Sequence, residues 1–303
     1  TDEAQARGLA MVDASLMPSF VDHDRDGDLD LFVLTNRYYR PGGRPTKPPI
    51  VMRNGRPKIL PGFEKYYDLR KVGPSNWTVD TCGRPDRLFQ NDGTGHFTDV
   101  SESAGITEKG HGLSATWWDH DRDGWPDLYV ANDFTDPEHL YRNNGDGTFT
   151  NVTSDAGLDG LGCSGVLWGD FDNDGCLDFF GMNSGNSGAD LLVRSNCDGT
   201  FTDVTAASGI DDTQEDIDCN ADGQPEHSPT PGAAWVDVDS DGYLDLYLAN
   251  YECSDPYSFY EDRLFRNNGD GTFADWSADH GLTGMDLAGR GVSPIDVDRD
   301  GDM

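Results

Sequence analysis

Asp119, Asp121, Asp123 and Asp127 stand within nine residues, around Gly124 and between two apolar runs, in the stretch WWDHDRDGWPDLYVAND that starts at Trp117. Carboxylates this close repel by about 4 kcal/mol per pair at ~4 Å in an effective dielectric near 20. The arrangement therefore calls for a cation. Carboxylates at positions 1, 3, 5 and 9 converge with the carbonyl of position 7, and glycine at position 6 allows the sharp turn. A donor set made of oxygen alone selects Ca²⁺ over zinc or copper.

The pattern recurs. Asp22, Asp24, Asp26 and Asp30 form one set, Asp170, Asp172, Asp174 and Asp178 another, and Asp237, Asp239, Asp241 and Asp245 a fourth. Asp28, Trp125, Cys176 and Tyr243 occupy position 7 and offer their carbonyls. Asp296, Asp298, Asp300 and Asp302 begin a fifth loop whose last ligand would lie beyond Met303. In DCNADGQPE, Asp218, Asn220, Asp222 and Glu226 keep the same offsets without flanking strands, and read equally as a sixth site or an ordinary acidic turn. A polar turn explains one copy but not four at matching positions. Four to six calcium ions are expected. They would serve structure, in surroundings rich in calcium.

The elements that must position these loops also repeat. A small-residue strand such as GLSATWW enters the loop and DLYVAN leaves it, rich in strand formers. RLFQN, HLYRN, LLVRS and RLFRN follow, each turning into a last short strand; their starts at 87, 139, 191 and 263 are 52, 52 and 72 residues apart. Asn-Gly and Asp-Gly steps supply the positive φ of tight hairpins. Four strands per repeat of this length predict an all-β fold, a β-propeller of four-stranded blades. The blades fall at about 9–110, 111–160, 161–212 and 229–284, with a partial one at 287–303. Four and a fraction would not close a ring, so the chain is expected to be a truncated single domain of a six- to eight-bladed propeller. Acidic loops and hairpin turns share one face; the connections that vary in length lie on the other, where binding usually resides. Trp117, Trp168 and Trp235 are expected to pack between blades, and Arg142, Arg194 and Arg266 to brace the hairpins. His23 and His120, at position 2 of their loops, are expected to face solvent.

The chain has 303 residues, 56 acidic against 22 basic, and a formal charge of −34. Such a surface repels nucleic acid. No apolar run is long enough to span a membrane. No signal peptide precedes Thr1, as in a mature, processed or trimmed chain. Six cysteines without a C-x-x-C pair argue for disulfides and an oxidising compartment. Topology suggests Cys176–Cys197 within one blade, then Cys219–Cys253, with Cys82–Cys163 by remainder; free thiols stay open. Asn76 and Asn151 begin glycosylation sequons, relevant in a eukaryotic secretory host.

One segment breaks the acidic pattern. Residues 37–84 hold eleven basic residues and three acids. Tyr38, Tyr39, Arg40, Arg44, Tyr66, Tyr67 and Trp77 combine arginine with aromatic rings, which suits an anionic or sugar ligand. A self-neutralising cover over an acidic face is the competing reading, and the two are compatible.

The paired signature WxDxDxDGxxDLYxAN and LYRNNGDGTFTDVT resembles the FG-GAP/VCBS calcium-binding propeller repeats, and is similar to the cartilage acidic protein family and its bacterial homologues. The resemblance covers nearly the whole chain except 37–86 and 211–230. It implies secreted or cell-surface proteins of adhesion and recognition, with calcium at the aspartates named above. Members usually continue into further blades and a C-terminal ASPIC/UnbV segment, so on this resemblance the chain is expected to be truncated. HExxH, GxSxG, P-loop and GxGxxG motifs are absent, so the enzyme question leans to no. The expected function is a calcium-stabilised module that binds a glycan or an extracellular protein. A structural, self-assembling surface component is the first alternative; a calcium-dependent polysaccharide lyase, kept open by the basic segment, is the second.

Overall fold

A computed structural model describes residues 2–11, 14–38, 40, 42–43, 45–53, 55–71, 76–132, 136–161, 163, 165–183, 189–211, 213–214, 226–252, 260–284 and 289–295. It divides into two compact units, Thr1–Asp119 with Gly124–Val152, and His120–Asp123 with Thr153–Met303. Each unit carries two four-stranded antiparallel sheets whose strands pair in chain order, as in propeller blades.

In the first unit, the first sheet runs Ala14–Val21, Asp30–Arg37, Arg87–Asn91 and Phe97–Asp99. The second runs Gly112–Trp118, Asp127–Asn132, His139–Asn143 and Phe149–Asn151. The strand leaving each acidic loop is buried on both faces, so its apolar run is nearly continuous: every residue of Asp127–Asn132 is buried. Phe32, Leu34 and Leu88 of the first sheet form one core with Leu128, Val130, Tyr141 and Phe149 of the second. Leu31, Val33 and Phe89 form a smaller core on the other side. Each such side chain contributes about 1.5–3 kcal/mol on burial.

The second unit repeats the scheme. Its sheets run Gly165–Gly169, Asp178–Met182, Leu191–Ser195 and Phe201–Asp203, then Gly232–Val236, Asp245–Ala249, Arg263–Asn267 and Phe273–Asp275. Phe171, Phe180 and Leu192 pack there with Leu246, Leu248, Phe265 and Phe273. Trp117 sits edge-on to Phe32 and Phe149, and Trp235 contacts Phe171 and Phe273, so both indoles fill the space between paired sheets.

The basic segment contains two hairpins, Ile50–Arg53 with Arg56–Ile59, and Tyr67–Lys71 with Trp77–Thr81. A disulfide joins Cys176 to Cys197. The expected Cys82–Cys163 bridge is not formed. Cys82 follows the second basic hairpin, its N–H held by the Tyr66 carbonyl. Cys163 is buried at 3% exposure and faces Gly181 of its own sheet. Assignment by remainder had no geometric basis: Cys82 is tied to the basic hairpin and Cys163 packs on its own sheet. Cys219 and Cys253 lie outside the described residues. No helix among the described residues is long and apolar enough to cross a membrane.

Candidate metal centre

Each acidic loop joins the first strand of a sheet to the second and is shaped by its own backbone. Position 4 is left-handed in all four although none is glycine: φ is 58° at Arg25, 61° at Arg122, 57° at Asn173 and 57° at Ser240. Residues other than glycine hold this conformation at a cost, and only where their surroundings impose it. The glycine at position 6 then turns its N–H onto the position 1 carboxylate. The bonds are Gly27 to Asp22 at 3.2 Å, Gly124 to Asp119 at 2.9 Å, Gly175 to Asp170 at 2.9 Å and Gly242 to Asp237 at 3.0 Å. Position 7 donates its N–H to the position 5 carboxylate in Asp28–Asp26, Cys176–Asp174 and Tyr243–Asp241.

Position 9 closes the loop from below. Asp30, Asp127, Asp178 and Asp245 are 0% exposed. Each accepts a main-chain N–H from the third strand of its sheet, from Asn91, Asn143, Ser195 or Asn267. The second oxygen of Asp30, Asp178 and Asp245 accepts the N–H of position 2. Two bonds leave lone pairs on an ionised carboxylate for a cation.

Position 2 corrects the expectation for the histidines. His23 is 2% exposed and His120 6%. His23 stacks on Phe149, with Nδ1 2.5 Å from Asp30 Oδ2. Phe171, at the same position, stacks on Trp235. Position 2 thus plugs the gap to the neighbouring sheet of the same unit, and its carbonyl accepts the side-chain amide of Asn143 (for His23) or Asn267 (for Phe171), each at 2.8 Å. Sheet pairing and loop shape are tied together by one asparagine.

A test of fit for a metal comes from the position 1 carboxylates. Asp22 Oδ1 and Asp119 Oδ1 are buried atoms with no hydrogen-bond partner among the described residues. A buried carboxylate oxygen left unpaired is costly, and a cation removes the cost. Oxygens of Asp22, Asp24 and Asp26 all lie within 4.8 Å of one another. Like charges mark the other loops too. Burial pushes the Asp178 carboxyl up to about 7, against the N–H of Ser195 and with help from Asp172. Burial and then Asp174 raise Asp172, and burial raises Asp245. The donors are carboxylates and carbonyls, a hard set that fits a hard divalent cation.

Of the remaining candidates, Asp296, Asp298, Asp300 and Asp302 lie outside the described residues, as do Asp218, Asn220 and Asp222. Of Glu226 only the backbone is described, in a short pairing with Gln214. Tyr39 and Arg44 are outside as well. Tyr38 lies between Lys65 and Arg84, whose charges are 4.8 and 5.1 Å from its ring, and Arg40 covers Phe63 at 4.7 Å. Tyr67 is buried and lines a cavity of about 230 Å³ with Pro45, Lys47, Pro48, Val79 and Thr81. Trp77 is 42% exposed, and Tyr66 is half-buried.

A second repeated acid escaped the sequence reading. Asp86, Asp190 and Asp262 stand at the start of the third strand, and their Oδ1 atoms accept the N–H of Thr35, Asn183 and Asn250 at 2.7, 2.6 and 2.8 Å. Glu138, buried, holds the same place in the second sheet. The signal was present in DRLF, EHLY, DLLV and DRLF, but the charge-dense loops drew the eye.

These sheets and loops define a four-stranded repeat built around an acidic loop. A model of the FG-GAP-like repeat matches residues 77–130, 119–181 and 229–303; the chain belongs to this family. It is 29% identical over 233 residues to cartilage acidic protein 1 of Xenopus tropicalis, covering 72% of this chain and 34% of that protein. To the Homo sapiens protein of that name it is 30% identical over 221 residues, covering 68% and 32%. The chain thus spans about a third of the length of these relatives. Among solved structures, an Agrocybe aegerita lectin that recognises non-reducing terminal N-acetylglucosamine gives a TM-score of 0.32 at 17% identity, over 87% of this chain and 65% of that one. The Photorhabdus luminescens Tc holotoxin pore gives 0.29 at 17%, over 85% and 12%.

Proposed function

We propose that this chain is an extracellular recognition module whose sheets are held by Ca²⁺ in the acidic loops, and that it binds a glycan or a protein through the basic segment. The unpartnered, buried oxygens of Asp22 and Asp119 carry the calcium reading. Asp22, Asp24, Asp26 and Asp30, with the Asp28 carbonyl, would hold one ion, and the matching residues would do so in the other loops. Calcium supplies charge that the carboxylates cannot supply to each other; the chain's residues fix the loop and its neighbour sheet. The Cys176–Cys197 disulfide supports an oxidising, extracellular setting, and relatives named for cartilage agree with it.

For recognition, the supporting feature is the cavity beside Tyr67, with Lys47 at its wall. Tyr38 and Arg40 serve the segment's own packing and favour its second role as a cover. The test is electrophoresis of the calcium-loaded protein through gels holding acidic or neutral polysaccharides. Retardation by an acidic polymer, weakened in Lys47→Ala, supports the module. Cleavage of the polymer would replace it with a lyase. Calcium-dependent association of the chain with itself, without retardation, would favour the structural component.

A further inference from the structure

The residue at position 7 of each acidic loop reaches the turn between the third and fourth strands of its own sheet. In three sheets the contact is made on a glycine. A Cβ on Gly93 would lie 2.6 Å from Asp28 Oδ2, one on Gly145 2.8 Å from the Trp125 indole, and one on Gly269 2.9 Å from the Tyr243 ring. These glycines share the left-handed region, with φ of 76°, 73° and 72°. In the third sheet the turn residue is Cys197, at φ 60°, and the position 7 residue is Cys176. The disulfide takes the place of a side chain resting on a glycine.

The bridge bears directly on ligand groups. Cys176 N–H donates to Asp174 Oδ1 at 2.8 Å, and Cys197 Sγ is 3.4 Å from Asp174 Oδ2. Cys176 also carries the carbonyl that position 7 presents to an ion. Without the bond, nothing spans this gap: a thiol is far smaller than the indole or phenol that fills it in the second and fourth sheets, and shorter than the Asp28 carboxylate of the first. Cys197, other than glycine in a left-handed turn, is then left with strain and no tether.

Resting on the calcium reading above, we infer that Cys176–Cys197 is a positioning pair that shapes the Asp170–Asp178 loop, so that cation affinity at this one loop depends on the bridge. A dithiol reductant breaks the S–S bond: two electrons and two protons pass to the sulfurs, giving two thiols, and the dithiol becomes a cyclic disulfide. The loop then loses its fixed position 7. Loss of a group that orients a metal ligand typically weakens binding about ten- to a hundredfold.

The test is calorimetric titration of Ca²⁺ into the full chain after chelator treatment, before and after reduction. The expected result is a ten- to hundredfold loss at one ion's worth of binding on reduction. Cys197→Gly should reproduce the loss and become insensitive to dithiol. Cys176→Trp with Cys197→Gly, which rebuilds the second sheet's ring-on-glycine contact, should recover affinity without a bridge. Calcium binding unchanged by reduction would overturn the inference while leaving the calcium reading standing. A loss on reduction that persists in Cys197→Gly would assign the effect to another cysteine and overturn it too. Failure of the oxidised protein to bind calcium at all would overturn both.

Discussion

In the loop from Asp22 to Asp30, Asp24 accepts the neutral side-chain amide of Gln90 at 2.6 Å and the N–H of Asp26 at 3.3 Å, and Asp22 Oδ1 has no partner among the described residues. In the loop from Asp237 to Asp245, Arg266 pairs with Asp239 and Asp241 at 2.5 and 2.8 Å, and Asp237 Oδ1 takes the N–H of Asp241 at 3.0 Å. The aspartate spacing is identical; the fourth residue of the third strand differs, Gln90 against Arg266. A built-in cation offsets part of the repulsion in one loop; in the other, the third strand offers a neutral amide instead. On the proposed calcium reading, spacing marks the loop, and the neighbouring strand sets how strongly it demands a cation.

The largest effect that separates the two loops is expected from Asp22→Asn. With calcium present, the variant should lose one ion and about 2.7 kcal/mol where calcium stands at a hundredfold its Kd. With chelator present it should be neutral or stabilising, because one of several crowded charges is gone. Urea unfolding in both conditions reads the sign reversal. The same sign in both would show that Asp22 serves the fold alone.

Next comes pH. Burial pushes the Asp178 carboxyl up to about 7 in the folded chain, against about 4 when unfolded. Its folded pKa is raised, so between these values the folded state holds the extra proton, and stability falls as pH rises from about 4 to about 7. Saturating calcium requires the ionised carboxylate and should oppose the fall, with weaker calcium binding below about pH 7. Denaturation midpoints across this window, with and without calcium, check both directions. Parallel slopes would remove Asp178 from the account of the third loop.

The smallest effect should come from Arg266→Gln, which copies Gln90 of the first sheet. The Arg266 side chain is half-buried, and its pairs with Asp239 and Asp241 lie at the solvent edge, where ion pairs contribute little. Calcium-free stability should drop slightly, and calcium affinity at the fourth loop should rise a few-fold because no internal cation competes. An unchanged affinity would mean that Arg266 braces the hairpin only.

Much of this was legible in the residues because a nine-residue loop is local: spacing alone fixes which side chains converge. The four-strand repeats were legible for the same reason. What failed was non-local. His23 and His120 read as solvent-facing because position 2 looks outward within one loop; for His23 the burial comes from Phe149 on the next sheet, 126 residues further along the chain. Cys176–Cys197 joins neighbouring turns of one sheet and was foreseeable, whereas Cys82 and Cys163 share no sheet whose register could have tested the pairing. The basic segment's composition showed its charge but not its two hairpins, nor that Tyr38 and Arg40 would find partners inside it.

The most direct measurement is equilibrium dialysis of the chelator-stripped chain against radioactive calcium, paired with its thermal midpoint. The account predicts saturable binding of about one ion per complete acidic loop and a midpoint that climbs with calcium concentration. No saturable binding, or binding that leaves the midpoint where it was, would contradict it.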